Sequence, residues 1–310
     1  MTGNEQRSNQ TWTARVWTPP VASEAWPATI GWCSHGFVLG NRWVRPEESQ
    51  SLPWQLPLQG RVLSGTLEQV LGLLRGTRNG SGFAIAIFSS NRPEVERFLL
   101  RLSAAMPELR LAGGVAAAAS DASGSAVVPA KADVNLLLLR GNNYRVTTHN
   151  LYDEADMLVE IDCEDPRTLR AIRQPGDAGW TPATELYRKL QRRDGLEAGD
   201  FETLTFSDQR DRNIHLHIRQ SKLVSGCNLP APGATLRLRR LASDRAAERL
   251  SQVAAEPNSI VFGCAGLARL LRSAPQAGPG SLIAFMHGEV VTAANECQLG
   301  NLMVNRLSVL

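Results

Sequence analysis

The sequence predicts an α/β protein of two related mixed-sheet halves, preceded by an irregular segment rich in tryptophan and proline. Three observations carry this reading. The apolar runs "FAIAIF" at 83–88 and "SIVFGC" at 259–264 are strand-length and nearly continuous, as expected of strands covered on both faces. Each is followed by a helical stretch and then by a strand interrupted by glycine, "LRLAGGVA" in the first case and "IAFMHGEV" in the second. The shared order of strand, helix and glycine points to internal duplication with a pocket between the halves. Third, six of the seven tryptophans fall before residue 60, among six prolines, a composition that excludes a long helix there.

Composition narrows the class. The chain has 310 residues, 43% hydrophobic and 20% charged, with 33 basic against 30 acidic side chains. That describes a globular protein with enough chain for two cores, and its even charge argues against nucleic acid. The opening "MTGNEQRSNQTWT" lacks the apolar core of a secretory signal. No apolar run reaches membrane-spanning length. Five cysteines without a CxxC pair fit a reducing cytoplasm better than a disulfide framework or a structural zinc site.

Residues 1–60 read as an irregular wrap or short strands packed over the body, or as a docking surface for a partner or ligand. From Ser64, "SGTLEQVLGLLRG" places Leu67, Val70, Leu71 and Leu74 on one helical face, with Thr66 or Ser64 as cap. "FAIAIFSS" is a strand, and Pro93 opens the helix "PEVERFLLRLSAAM". "LRLAGGVAAAAS" reads as a strand broken at Gly113-Gly114, and "ADVNLLLLRG" and "NYRVTTHNL" as two strands around a Gly141-Asn142-Asn143 turn. Then come a strand "ADMLVEIDC" and a helix "TPATELYRKLQRR" capped by Thr181, with Arg188, Lys189, Arg192 and Arg193 solvated at its negative end. "ETLTFSD", "NIHLHIRQ" and "ATLRLRRLA" alternate as half-exposed antiparallel strands, and Ser243 caps the helix "SDRAAERLSQVA". The strands "NSIVFGCAG", "SLIAFMHGEV" and "NLMVNRLSVL" close the chain.

Few residues invite chemistry. Cys264 ends an apolar strand at "GCAG", where Gly263 and Gly266 let backbone N–H groups face a ligand. His287 and Glu289, two apart, share a strand face with Gly288 opposite. Glu289 is expected to charge the rim of a pocket. With Cys264 as nucleophile and His287 or Glu289 as base they would make an enzyme. His35 or His287 as axial ligand would instead make a haem-binding gas sensor. A purely structural partner-binding protein is a further reading. His215 and His217 also share a face but lack a third ligand, so a solvated face is expected. The dinucleotide, P-loop, HExxH and GxSxG signatures are absent.

"SIVFGCAGLARLL", "IAFMHGEVVTA" and "LGNLMVNRL", taken in order, resemble the C-terminal half of the FIST (F-box and intracellular signal transduction) family. "FAIAIFSS", the helix after it and "LRLAGGVAAAAS" resemble the N-terminal half. The likeness divides the chain into 1–60, a FIST N-like half at 61–152 and a FIST C-like half at 153–310. It implies a sensory module that binds a small ligand, an amino acid or a related metabolite, and passes the signal to kinase, cyclase or ubiquitin-ligase domains; no such motif is read in this sequence, so a separate protein partner is expected. Haem binding is implied for some members. The implied site takes Ser89, Gly113 and Gly114 from the first half, and Cys264, Gly266, Gly288, Glu289 and Asn301 from the second. Leu267 stands where the family commonly has arginine, with Arg269 two positions on, and Gly300 and Met303 also depart from the family pattern. The lost arginine removes a carboxylate-pairing group.

Overall fold

A computed structural model describes residues 11–16, 30–33, 36–39, 42–44, 54–75, 82–88, 93–115, 119–120, 126–127, 133–139, 141, 143–193, 205–264, 267, 275–279, 281–286, 288–293, 296–300 and 302–310. The opening segment contributes strands β1 (Thr11–Val16), β2 (Ile30–Cys33), β3 (Gly36–Leu39) and β4 (Arg42–Val44). β2, β3 and β4 form an antiparallel meander. Next comes β5 (Trp54–Gly65), which runs unbroken across residue 60 and joins the opening segment to the body.

The first half continues with α1 (Leu67–Arg75), β6 (Phe83–Phe88), α2 (Pro93–Ala105), β7 (Arg110–Val115), the two-residue β8 (Ala119–Ser120) and β9 (Ala126–Val127), and β10 (Val134–Leu139). Thr66 and Gln69 make a reciprocal capping box for α1: the Gln69 N–H donates to Thr66 Oγ1 at 3.3 Å, and the Thr66 N–H to Gln69 Oε1 at 2.9 Å. The strands lie in the order β1-β5-β10-β6-β7, all neighbours antiparallel except β6 and β7. The strand through Gly113 and Gly114 is not broken, contrary to expectation; it pairs with β6 as far as Val115.

Beyond Gly141 the chain changes sheets. β11 (Tyr144–His149) does not return along β10 as a hairpin; its partner is β23 (Val304–Val309), at the far end of the chain. Between β11 and the rest of its sheet lie β12 (Asp153–Asp165), β13 (Thr168–Arg173), β14 (Thr181–Pro182), α3 (Ala183–Arg193), β15 (Thr205–Ser207), β16 (Asn213–Arg219), β17 (Lys222–Ser225) and β18 (Thr235–Arg240). The order β12-β18-β15-β16-β17-β13, with β13 paired back to β12, closes a six-stranded antiparallel barrel that the sequence reading did not foresee. Side chains fill it, as expected at this size: Val159, Ile161, Phe206, Ile214, Leu216, Leu236 and Leu238 are buried inside, and Tyr187 of α3 donates its hydroxyl to the Leu216 carbonyl at 2.8 Å.

After the barrel come α4 (Ser243–Ala254), β19 (Ser259–Cys264), β20 (Leu282–Met286) and the hairpin β21 (Val290–Ala293) and β22 (Glu296–Leu299), before β23. Ser243 is the first helical residue of α4 and not its cap; Ala242 holds that place without a side-chain bond. The second sheet reads β11-β23-β19-β20, with only β19 and β20 parallel. Strand for strand this repeats β5-β10-β6-β7, each ending in one parallel pair. The chain therefore has two related mixed-sheet halves, and the barrel interrupts the second one between its first strand and its first helix. β11, which precedes residue 153, pairs into the sheet of the second half.

The two sheets pack face to face. Ile85 and Ile87 of β6 meet Ile260 and Phe262 of β19, with Ala112, Leu137, Ala284, Met286 and Leu307 in the same layer. The alternate residues Ala84, Ala86 and Phe88 face α1 and α2, and Val261 faces α4. Such period-two alternation lets one apolar run serve two layers at once.

Candidate functional site

The two glycine-bearing stretches meet. Gly114 of β7 forms an antiparallel bridge with Glu289, and the Val115 N–H donates to the Gly288 carbonyl at 2.7 Å. The approach depends on backbone that only glycine adopts freely: Gly113 has φ +125° and Gly288 φ +144°. A Cβ on Gly114 would collide with the Gly288 carbonyl and lie 2.9 Å from Met286 Cβ. The halves are thus in direct backbone contact here, at the seam where a pocket was expected.

The bridge carries Glu289 inward. Its side chain is fully buried and does not lie on a rim, which corrects the sequence reading. The hairpin that follows, β21 and β22, leaves the second sheet and packs its Val290, Cys297 and Leu299 into the apolar layer under α2. The Cys297 N–H donates to Ser103 Oγ of α2 at 2.7 Å. Anchored this way, the hairpin root holds Glu289 between the halves.

Around the carboxyl the partners are few. The Met303 N–H donates to Oε1 at 2.6 Å, and the Gly300 N–H to the Glu289 backbone carbonyl at 2.7 Å. A Cβ on Gly300 would stand 2.9 Å from Oε1. Oε2 is buried with no hydrogen-bond partner among the described residues. Burial pushes the carboxyl up to about 7, although the Met303 N–H, its own backbone N–H and the Cys264 thiol all favour the ionised form. Cys264 is itself buried, in the apolar layer with Val261, Ile283 and Val304.

The loop above Glu289 is pinned from the other side by the barrel. Asn213, at the start of β16, donates its backbone N–H to Met303 Sδ at 3.4 Å and its Nδ2 to the Leu302 carbonyl at 3.2 Å. Leu302 holds φ +59°, a left-handed conformation costly for a branched side chain. Strain of about 1–3 kcal/mol persists only where surroundings impose it, and such positions cluster at ligand sites and switches. Below, Asn305 of β23 donates to the carbonyls of Leu111 and Val290 at 2.9 and 2.6 Å, tying both sheets to the hairpin.

The structure therefore brings together Gly113, Gly114, Cys264, Gly288 and Glu289. Ser89, Gly266, His287, Asn301 and the haem candidate His35 lie outside the described residues. Asn213 and Asn305 were not picked out as site residues. Both are polar residues among strand formers, a local signal with no indication of what they face. His215 is buried, not solvated: its Nδ1 lies 3.4 Å from Thr205 Oγ1, and burial pulls its pKa down to about 4. His217 beside it is exposed. Among the described residues no group of three or more His, Cys, Asp or Glu side chains could hold a metal.

No family model matches this chain. No curated protein matches it. Among the described residues no helix is long and apolar enough to cross a membrane.

Proposed function

We propose that this chain is a FIST-like sensory protein of the cytoplasm that binds a small ligand where its two halves meet, and that its binding group is Glu289. The observation that carries the reading is Oε2 of Glu289, fully buried and without a partner among the described residues while Oε1 is satisfied. An unpaired buried carboxylate oxygen costs several kcal/mol, and a donor from a ligand removes that cost. An ammonium group is the strongest such donor, which fits an amino acid or a related amine. Leu302, strained and held between Glu289 and the barrel, supplies the element that shifts when the carboxyl is filled. Cys163, Cys227, Cys264 and Cys297 are free thiols, in keeping with a reducing compartment. The signal then passes to a separate protein.

Native mass spectrometry before and after denaturation tests this, followed by thermal-shift titration with each common amino acid. The expected result is an amino-acid-sized mass excess lost on denaturing, or a saturable thermal shift, either one absent in Glu289→Gln. Binding that Glu289→Gln leaves intact overturns the assignment, and so does the absence of any mass excess or shift. A haem-sized excess would assign the gas-sensor alternative instead.

A second reading rests on the contact between the Cys264 thiol and the same carboxyl, in which Cys264 acts as nucleophile. It requires Cys264 to alkylate faster than an unfolded-peptide thiol at neutral pH, and Glu289→Gln to abolish the difference.

A further inference from the structure

A separate cavity of about 340 Å³ lies where the barrel meets the first half, within the range of small-molecule sites. Its walls come from α2 (Glu96, Leu100), the β15–β16 turn (Asp208 to Arg210, and Arg212), the loop before β18 (Asn228 to Ala231, Ala234) and Gln298 of β22. Residues alternate along the β21–β22 hairpin: Val290, Cys297 and Leu299 enter the core, which sets Gln298 on the opposite face with Glu296. Glu296 there pairs with Arg210.

We infer that this cavity binds an uncharged small molecule carrying an amide or ketone carbonyl next to an apolar group, with Gln298 as the donor to that carbonyl. Two features select the class. The first is charge. Glu96 is held by Arg167 and Arg212, Asp208 by Arg212, and Arg210 by Glu296, so each charge on the wall already has its opposite. An ionic ligand would have to break one of these pairs. The second is an orphan. Gln298 is 5% exposed, and its Nε2 is buried with no acceptor among the described residues. A buried amide N–H without an acceptor is rare in native structures, because it forfeits the hydrogen bond it had in water. Leu100, Leu229, Pro230, Ala231 and Ala234 offer the apolar surface for the rest of the molecule.

The site is distinct from the one at Glu289, and its test separates the two. Isotope-labelled full-length protein is titrated with N-acetyl-leucine methylamide, an uncharged diamide, and with zwitterionic leucine as control, while backbone and side-chain amide signals are followed by NMR. The expected result is saturable shifts of the Gln298 side-chain amide and of the backbone amides around Asn228. Gln298→Met, which keeps length and apolar bulk, should bind the diamide about tenfold more weakly, the loss of one hydrogen bond. Glu289→Gln should bind it as the wild type does. Ala231→Trp, which fills the cavity from an exposed position, should abolish the shifts, and this second variant keeps the test decisive if Gln298→Met fails to fold. No saturable shift with the diamide, equal binding by Gln298→Met, or zwitterionic leucine shifting the same signals as strongly overturns the proposal.

Discussion

Two buried titratable groups set opposite pH slopes. Glu289 is lifted from 4.5 to about 7, so between those values the folded state keeps a proton that the unfolded chain has released. The stabilising effect of its neutral form is complete below 4.5 and is lost as pH rises through 7, on the order of 3 kcal/mol. His215 is lowered from 6.5 to about 4, so the folded state releases a proton that the unfolded chain retains. Its contribution is complete above 6.5 and is lost as pH falls toward 4. From 4.5 to 6.5 the two slopes oppose each other, and single substitutions separate them. Glu289→Gln should make stability rise with pH over this window, and His215→Gln should make it fall more steeply than in the wild type. Urea unfolding of the three proteins at several pH values between 4 and 7 checks both signs. A Glu289→Gln profile parallel to the wild type's would mean that the carboxyl titrates normally and is hydrated.

At the scale of elements, two glycines separate propensity from packing. Gly72 lies inside α1 with nothing within 4 Å of an added Cβ, so Gly72→Ala should stabilise by about 0.5–1 kcal/mol. Gly114→Ala drives a methyl into the Gly288 carbonyl and Met286, and should destabilise by about 1–3 kcal/mol. Removing the capping hydroxyl with Thr66→Ala should cost about 1 kcal/mol. Thermal or urea unfolding measures all three. The α1 cap and the buried strands β6 and β19 were legible in the sequence because capping and period-two alternation are local. Pairing partners were not. The turn at Gly141 reads as a hairpin, yet β10 is claimed by β5 and β6, and β11 by β23 more than 150 residues later. The barrel was hidden for a related reason: β15 is three residues long, and closure needs register shifts in β12 that no pattern announces. Glu289 was located as a feature but misjudged as a rim residue, because Leu302 and Met303 beside it are set in place by Asn213 of the barrel.

For the whole molecule the question is what fixes the barrel against the sandwich. The barrel's chain enters and leaves side by side, since Asp153 pairs with Arg240 across β12 and β18. An insertion tethered at one point swings unless other contacts hold it. Asn213 provides one, and Glu96 of α2 provides another in a buried position. Its carboxylate accepts the Asn228 N–H at 2.7 Å and Arg167 Nη2 at 3.1 Å, with Arg212 Nη1 at 3.7 Å. Burial raises its pKa, opposed by those partners, all three of which belong to the barrel. Removing one member of a buried ion set leaves the others desolvated and costs about 3–5 kcal/mol. Glu96→Ala should therefore loosen docking before it loosens either core, because Leu99 and Leu102 remain to pack α2 and the barrel interior does not include Glu96. Hydrogen exchange should show lost protection at Asn228, Gly300 and Met303, with β6, β19 and β16 still protected, and a single unfolding transition should split into two. Uniform loss of protection across both bodies with one transition would instead make the barrel part of a single cooperative unit. In that case the ligand signal proposed for Glu289 could not be relayed by barrel displacement and would have to leave through the hairpin itself.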